Sequence, residues 1–131
     1  MSNRSDVRLS VVLPAYNEES RLPGTLMESI RYLQSQPYKS EIIVVDDGST
    51  DRTQEGVGSQ GSSPVPVMLL AHPDRASHGK GASIRLGMLE AQGKYRLFMD
   101  ADNSTSLDHV ARFWACFERG FDVVIGSRAL K

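Results

Sequence analysis

Two aspartates one residue apart, Asp100 and Asp102, close the apolar stretch "RLFMDAD" at residues 96–102. Carboxylates this close repel one another unless a cation lies beside them. In extended chain, residues two apart point the same way, so the pair could converge on one ion. A hard divalent cation such as Mg²⁺ or Mn²⁺ takes oxygen ligands and bridges one or two carboxylates to a substrate diphosphate. The competing reading is a capping cluster for the helix that follows.

A second acidic motif, "VVDDGSTD", ends another apolar run. Aspartate before Gly and Ser is commonly just a turn. The functional alternative is that Asp47, acceptor-only when ionised, receives the N–H of a base or the hydroxyl of a ribose. The glycine-rich "SHGKGASIRLG" invites two motif assignments that both fail. A dinucleotide fingerprint needs glycine where Ile84 stands, and should follow the first strand. A Walker-type phosphate loop needs glycine at Asp74 and Ser or Thr at Gly81. What remains is a glycine turn entering a helix, with Lys80 either an anion contact beside free N–H groups or a solvated lysine. His72, His78 and His109 have no second His or Cys at zinc-ligand spacing.

The elements that must position these residues alternate along the chain. "LSVVLP" (9–14), "EIIVVDD" (41–47), "VPVMLLA" (65–71), "YRLFMD" (95–100) and "DVVIG" (122–126) read as short strands buried on both faces. Leu22, Leu26, Ile30 and Leu33 recur at helical spacing, with Pro23 suited to a first turn. A second helix is expected from about Gly79 to Gly93, Gly93 acting as its stop and Gly87 allowing close packing on a sheet. A third carries Leu107, Val110, Ala111, Trp114 and Phe117 on one face, between a Ser106 cap and Gly120. Residues 56–64, "GVGSQGSSP", read as a flexible connection. The expected fold is therefore α/β, a mostly parallel sheet flanked by helices. The polar clusters follow the strands, and in such a sheet all carboxyl ends lie along one edge, where ligands bind.

Composition narrows the function classes. The 131 residues suffice for one compact domain, and 40% hydrophobic with 24% charged residues is ordinary for a globular protein. A net charge of −1 offers no broad basic face for nucleic acid. The single cysteine, Cys116, excludes an intrachain disulfide and reads as core filling within a helix. The first residues lack a signal-peptide pattern, and no apolar run reaches the roughly 20 residues that span a bilayer. The default location is cytoplasmic.

Taken together, "VVLPAYNEESRLPGTL", "EIIVVDDGSTDRT", "GKGASIRLGMLEAQGKYRLFMDADNST" and "FDVVIGSRA" resemble a family 2 glycosyltransferase of the GT-A fold. The nearest resemblance is to dolichyl-phosphate glucosyltransferase-like enzymes, with polyprenyl-phosphate mannose synthases close by. It implies a UDP-sugar donor, with a GDP-sugar as the rival, and Mg²⁺ or Mn²⁺. It also implies a lipid-phosphate acceptor reached from the cytoplasmic face of a membrane. Pro14, Ala15, Tyr16 and Glu18 would line the nucleoside pocket, with Asp47 on the base and Val45 contributing backbone. Asp100 and Asp102 would bind metal, with Ala101 and Lys80 on the nucleotide side. Asp102 and Arg128 of "GSR" would serve transfer itself. Some relatives carry a glutamine as a further metal ligand where this chain has Ser104. These enzymes continue well past "GSRA", so the resemblance makes residues 1–131 the nucleotide-sugar-binding portion without the acceptor portion. Two other readings remain open. "LFMDADNST" also mimics the "DxDxT" strand end of haloacid-dehalogenase-like phosphatases, and the chain could be a nucleotide-sugar-binding module without catalysis.

Overall fold

The computed structural model describes residues 6–58, 63–101 and 110–119. Strand β1 (Leu9–Ala15) is followed by α1 (Leu22–Gln34), β2 (Ser40–Asp46), α2 (Thr53–Gly58), β3 (Val67–Ala71), α3 (Lys80–Glu90), β4 (Tyr95–Phe98) and α4 (Val110–Glu118). The strands form one sheet in the order β3-β2-β1-β4, and each neighbouring pair is parallel. The register sets Val12 between Ile43 and Phe98. The order reverses beside β1, which opens a crevice at the carboxyl ends of β1 and β4.

Alternation along β1 and β2 feeds two cores. Leu9, Val11, Leu13, Ile42 and Val44 pack with Leu22, Leu26, Ile30 and Leu33 of α1. Pro23 occupies the first turn of α1, as its fixed φ favours. Val12, Ile43 and Val45 face the other way, against Leu86 and Met88. On that face α3 carries no continuous apolar stripe. Its buried residues are Ser83 and Gly87, while Leu89 is 67% exposed. The backbone of α3 can therefore lie close to the sheet. A methyl at Gly87 would run into Val12 Cγ1 and stand 3.1 Å from Val45 Cγ2.

Several elements depart from the sequence reading. Residues 53–58 are helical, so the connection expected from residue 56 begins as part of α2. Strands β3 and β4 are only partly buried, because among the described residues each lies at a sheet edge. Helix α3 ends at Glu90, ahead of Gly93. Gly93 is required for close approach instead, since a Cβ there would stand 2.5 Å from Ser10 Oγ. Ser10 donates to buried Glu41 at 2.6 Å and accepts the Gly93 N–H at 2.8 Å, tying β1 and β2 to the turn before β4. Trp114 of α4 stacks edge-on against Tyr38 and Tyr95, with the Arg8 guanidinium 4.7 Å from its ring, whereas Ala111 is exposed. Strand 122–126, the Ser106 cap, Leu107 and Gly120 lie outside the described residues, as does the side chain of Cys116.

Candidate functional site

The loops after β1 and β2 are fastened to each other. The N–H of Asn17 donates to Ser49 Oγ at 2.9 Å, that of Glu18 to Thr53 Oγ1 at 2.8 Å, and that of Glu19 to Asp51 Oδ2 at 3.2 Å. Asn17 Oδ1 accepts the Thr50 N–H at 2.9 Å in return. Asn17 has φ +51°, a conformation asparagine tolerates better than most residues. The side chains of Ser49, Thr53 and Asp51 thus cap the backbone of "NEE". Desolvation pushes the Asp51 carboxyl up, but hydrogen bonds from Thr53 and the Glu19 N–H outweigh this and hold its pKa below the ordinary value.

Asp46 and Asp47 point to opposite faces of the sheet. Asp46, buried beneath α2, accepts the Gln54 amide at 2.8 Å and the Ser49 N–H at 3.3 Å. Asp47 lies on the α3 side and organises the loop that leads into α3. Its Oδ1 accepts the His78 N–H at 2.7 Å, and its Oδ2 accepts the Ser77 hydroxyl at 2.8 Å and the Gly79 N–H at 3.1 Å. His72 Nε2 lies 3.2 Å from Asp47 Oδ1 and 3.0 Å from Ser83 Oγ. Burial pushes Asp47 up, yet the His78, Ser77, Gly79 and Ser83 hydrogen bonds together hold it below the usual carboxylate range. The same loop sits directly on Gly48, where φ is +73° and a Cβ would meet Ser77 N at 2.7 Å.

The loop delivers Lys80 to the carboxyl end of β4, where its ammonium pairs with Asp100 Oδ1. Asp100 is held from below as well. The Met99 N–H donates to Val12 O at 3.1 Å, and the hydroxyl of Thr25 on α1 donates to Ala101 O at 2.6 Å. Consecutive residues Gly79 and Lys80 therefore bridge Asp47 to Asp100, so both acidic motifs meet at one sheet edge.

The expected site residues divide accordingly. Tyr16 is exposed at the edge, Pro14 is half-buried, and Ala15 and Val45 have buried side chains that belong to the core. Glu18 pairs with Arg21 Nε at 2.7 Å. Ala101 turns into the core beneath α1. The sequence reading puts Asp47 on the base of a nucleotide; in the structure it is 6% exposed and both its oxygens are occupied by protein donors. Asp102, Ser104, His109 and Arg128 lie outside the described residues. The sequence singles out neither Thr25 nor Ser77, and weighs His72 only as a zinc ligand. A threonine inside a helix ordinarily bonds its own backbone, and each of the three has a partner in a distant segment.

Asp100 offers a hard oxygen donor, and a cation, the Lys80 ammonium, already rests on it. That chemistry fits a divalent ion, although no cluster of three or more His, Cys, Asp or Glu able to hold a metal occurs among the described residues. An open parallel sheet whose order reverses beside β1, with its polar loops gathered at that edge, defines the doubly wound α/β class in its GT-A form. The chain belongs to glycosyl transferase family 2, whose model matches residues 10–131. That membership replaces the haloacid-dehalogenase-like reading of "DADNST".

Dolichyl-phosphate beta-glucosyltransferase ALG5A of Trichomonas vaginalis is 42% identical over 109 residues, covering 79% of this chain and 33% of that protein. The chain thus spans about a third of the length of that curated relative. Among solved structures, TarS of S. aureus in complex with UDP-GlcNAc aligns with a TM-score of 0.70 at 24% identity, over 86% of this chain and 32% of that one, a likeness of fold. Glucosyl-3-phosphoglycerate synthase from Mycobacterium tuberculosis, with Mn²⁺, UDP and glucosyl-3-phosphoglycerate, aligns at 28% identity with a TM-score of 0.57. It covers 75% of this chain and 34% of that one.

Proposed function

We propose that this chain is the nucleotide-sugar-binding part of a metal-dependent, inverting glycosyltransferase. The donor is a UDP-sugar, with UDP-glucose the first choice, and the acceptor a dolichyl or other polyprenyl phosphate. The observation that carries the reading is Asp100, held at the switch point of the sheet with the Lys80 ammonium on its carboxylate. The metal complex of the Mycobacterium relative and the acceptor named for the Trichomonas relative support the finer assignments.

In this reading Asp100 and Asp102 hold Mg²⁺ or Mn²⁺, which supplies positive charge to the departing nucleoside diphosphate, worth several kcal/mol. Lys80, at the first turn of α3, swings from Asp100 to a diphosphate oxygen, with the helix N-terminus favouring the same anion. Tyr16 and the backbone of Pro14, Ala15 and Val45 line the nucleoside. Asp47 keeps the 77–79 turn in place beside the base, contacting it only by giving up one of its present donors. Arg128 meets a phosphate near the transfer site. A lipid phosphate is already anionic at neutral pH, so it attacks the anomeric carbon without a strong general base. One in-line displacement inverts that centre. The acceptor places the reaction at a membrane surface, and none of the described helices is long and apolar enough to cross one.

Calorimetric titration of UDP and of GDP, each with Mn²⁺ and then with chelator, tests the proposal. Tighter binding of UDP with metal is expected. Equal affinity in the presence of chelator removes the metal role, and a preference for GDP transfers the donor assignment to guanosine.

A further inference from the structure

The Thr25 hydroxyl has one proton and two carbonyls in reach: Arg21 O, one turn back, at 3.1 Å, and Ala101 O at 2.6 Å. A threonine in a helix ordinarily gives its proton to the preceding turn. Here the shorter contact goes to a residue 76 positions away. Both groups are shut from water, Thr25 at 2% and Ala101 at 3% exposure, so no solvent replaces the bond. The carbonyl belongs to the planar peptide unit that joins Ala101 to the next residue, so the bond pins the backbone immediately after Asp100.

We propose that Thr25 is a positioning residue for cation binding: from beneath the sheet it locks the Asp100–Ala101 turn that presents the carboxylate. This rests on the metal-dependent reading above. Lys80 reaches Asp100 from the α3 face, and Thr25 holds the following carbonyl from the α1 face. The Met99 N–H bond to Val12 anchors the strand between them. Unlike the Lys80 contact, which must give way when a metal arrives, the Thr25 tie is independent of the cation and lies on the carboxyl side of Asp100. A small divalent ion tolerates little error in ligand direction, so a loose turn loses affinity before it loses structure.

The test is titration of Mn²⁺ into the protein with UDP for wild type, Thr25→Val and Thr25→Ser, folding being checked by circular dichroism. Thr25→Val keeps the shape and removes the hydroxyl; its Mn²⁺ affinity is expected to fall about tenfold, as for other outer-shell partners. Thr25→Ser, which keeps the donor, should bind as wild type does, and UDP affinity in chelator should match in all three. Should Thr25→Val fail to fold, Thr25→Ala takes its place with the same expected loss. Wild-type affinity in the hydroxyl-free variant overturns the inference, and so does a loss in Thr25→Ser equal to that in Thr25→Val. A wild-type protein that binds no Mn²⁺ with UDP overturns the metal reading itself, an outcome visible before any variant is compared.

Discussion

Asp47 shows how one carboxylate can order a loop at the sheet edge while both its oxygens face protein donors. Its replacement by Asn keeps the shape but turns an amide toward N–H and O–H donors that both its oxygens now accept. Hydrogen bonds to a buried charge are each worth about 1.5–3 kcal/mol, so Asp47→Asn is expected to lose about 3 kcal/mol in urea unfolding. Lys80 presents the opposite case. Lysine in a first helical turn opposes the helix dipole, and its pair with Asp100 is about half exposed. Lys80→Met should therefore change stability by no more than about 0.5 kcal/mol while weakening UDP binding measured by calorimetry. Asp102→Asn separates metal binding from capping. Metal-dependent UDP affinity should drop with the melting temperature equal or slightly higher, since removing a charge relieves its repulsion with Asp100. Unfolding of that variant would instead make Asp102 a cap.

At the scale of elements, α3 is the part that carries the site, and two of its glycines have different reasons to be there. Gly81 has nothing within 4 Å of a would-be Cβ, so Gly81→Ala should be neutral or stabilising by up to about 0.8 kcal/mol, the propensity difference. Gly87→Ala gains the same propensity but drives a methyl into Val12 and Val45. Overpacking costs about 1–3 kcal/mol, so a net loss of about 1–2 kcal/mol is expected in the urea midpoint. Because α3 starts with Lys80, lifting it from the sheet would also move that ammonium away from Asp100.

For the whole molecule, the carboxylates that fasten the loops share one consequence. Asp47, Asp51 and Asp74 are all held below their ordinary pKa, Asp47 and Asp51 against desolvation and Asp74 chiefly by its hydrogen bond with His78. A carboxyl with a depressed folded-state pKa binds fewer protons folded than unfolded near its ordinary value, so stability rises with pH there. Their contribution is complete above about pH 4–5 and disappears as pH falls through the folded-state values. Melting temperatures between pH 7 and pH 3 should therefore fall steepest below about pH 4. Asp47→Asn should have a shallower fall, since one titrating anchor is already gone.

Local pattern alone determined much of this protein. The apolar runs placed β1, β2 and α1 nearly to their ends, because a strand or helix packed on a core must show its period in the sequence. The position of Asp100 at a strand's carboxyl end was legible for the same reason, as was the close seat of Gly87. What the tertiary structure decided was partnership. Nothing local told that Asp47 would spend its oxygens on residues 77–79, or that Ser49, Asp51 and Thr53 would cap the "NEE" backbone. Nor did anything local show that Thr25 would reach past its own helix to Ala101. Hydrogen bonds between distant segments leave no period, since each is fixed by where the sheet sets two loops side by side.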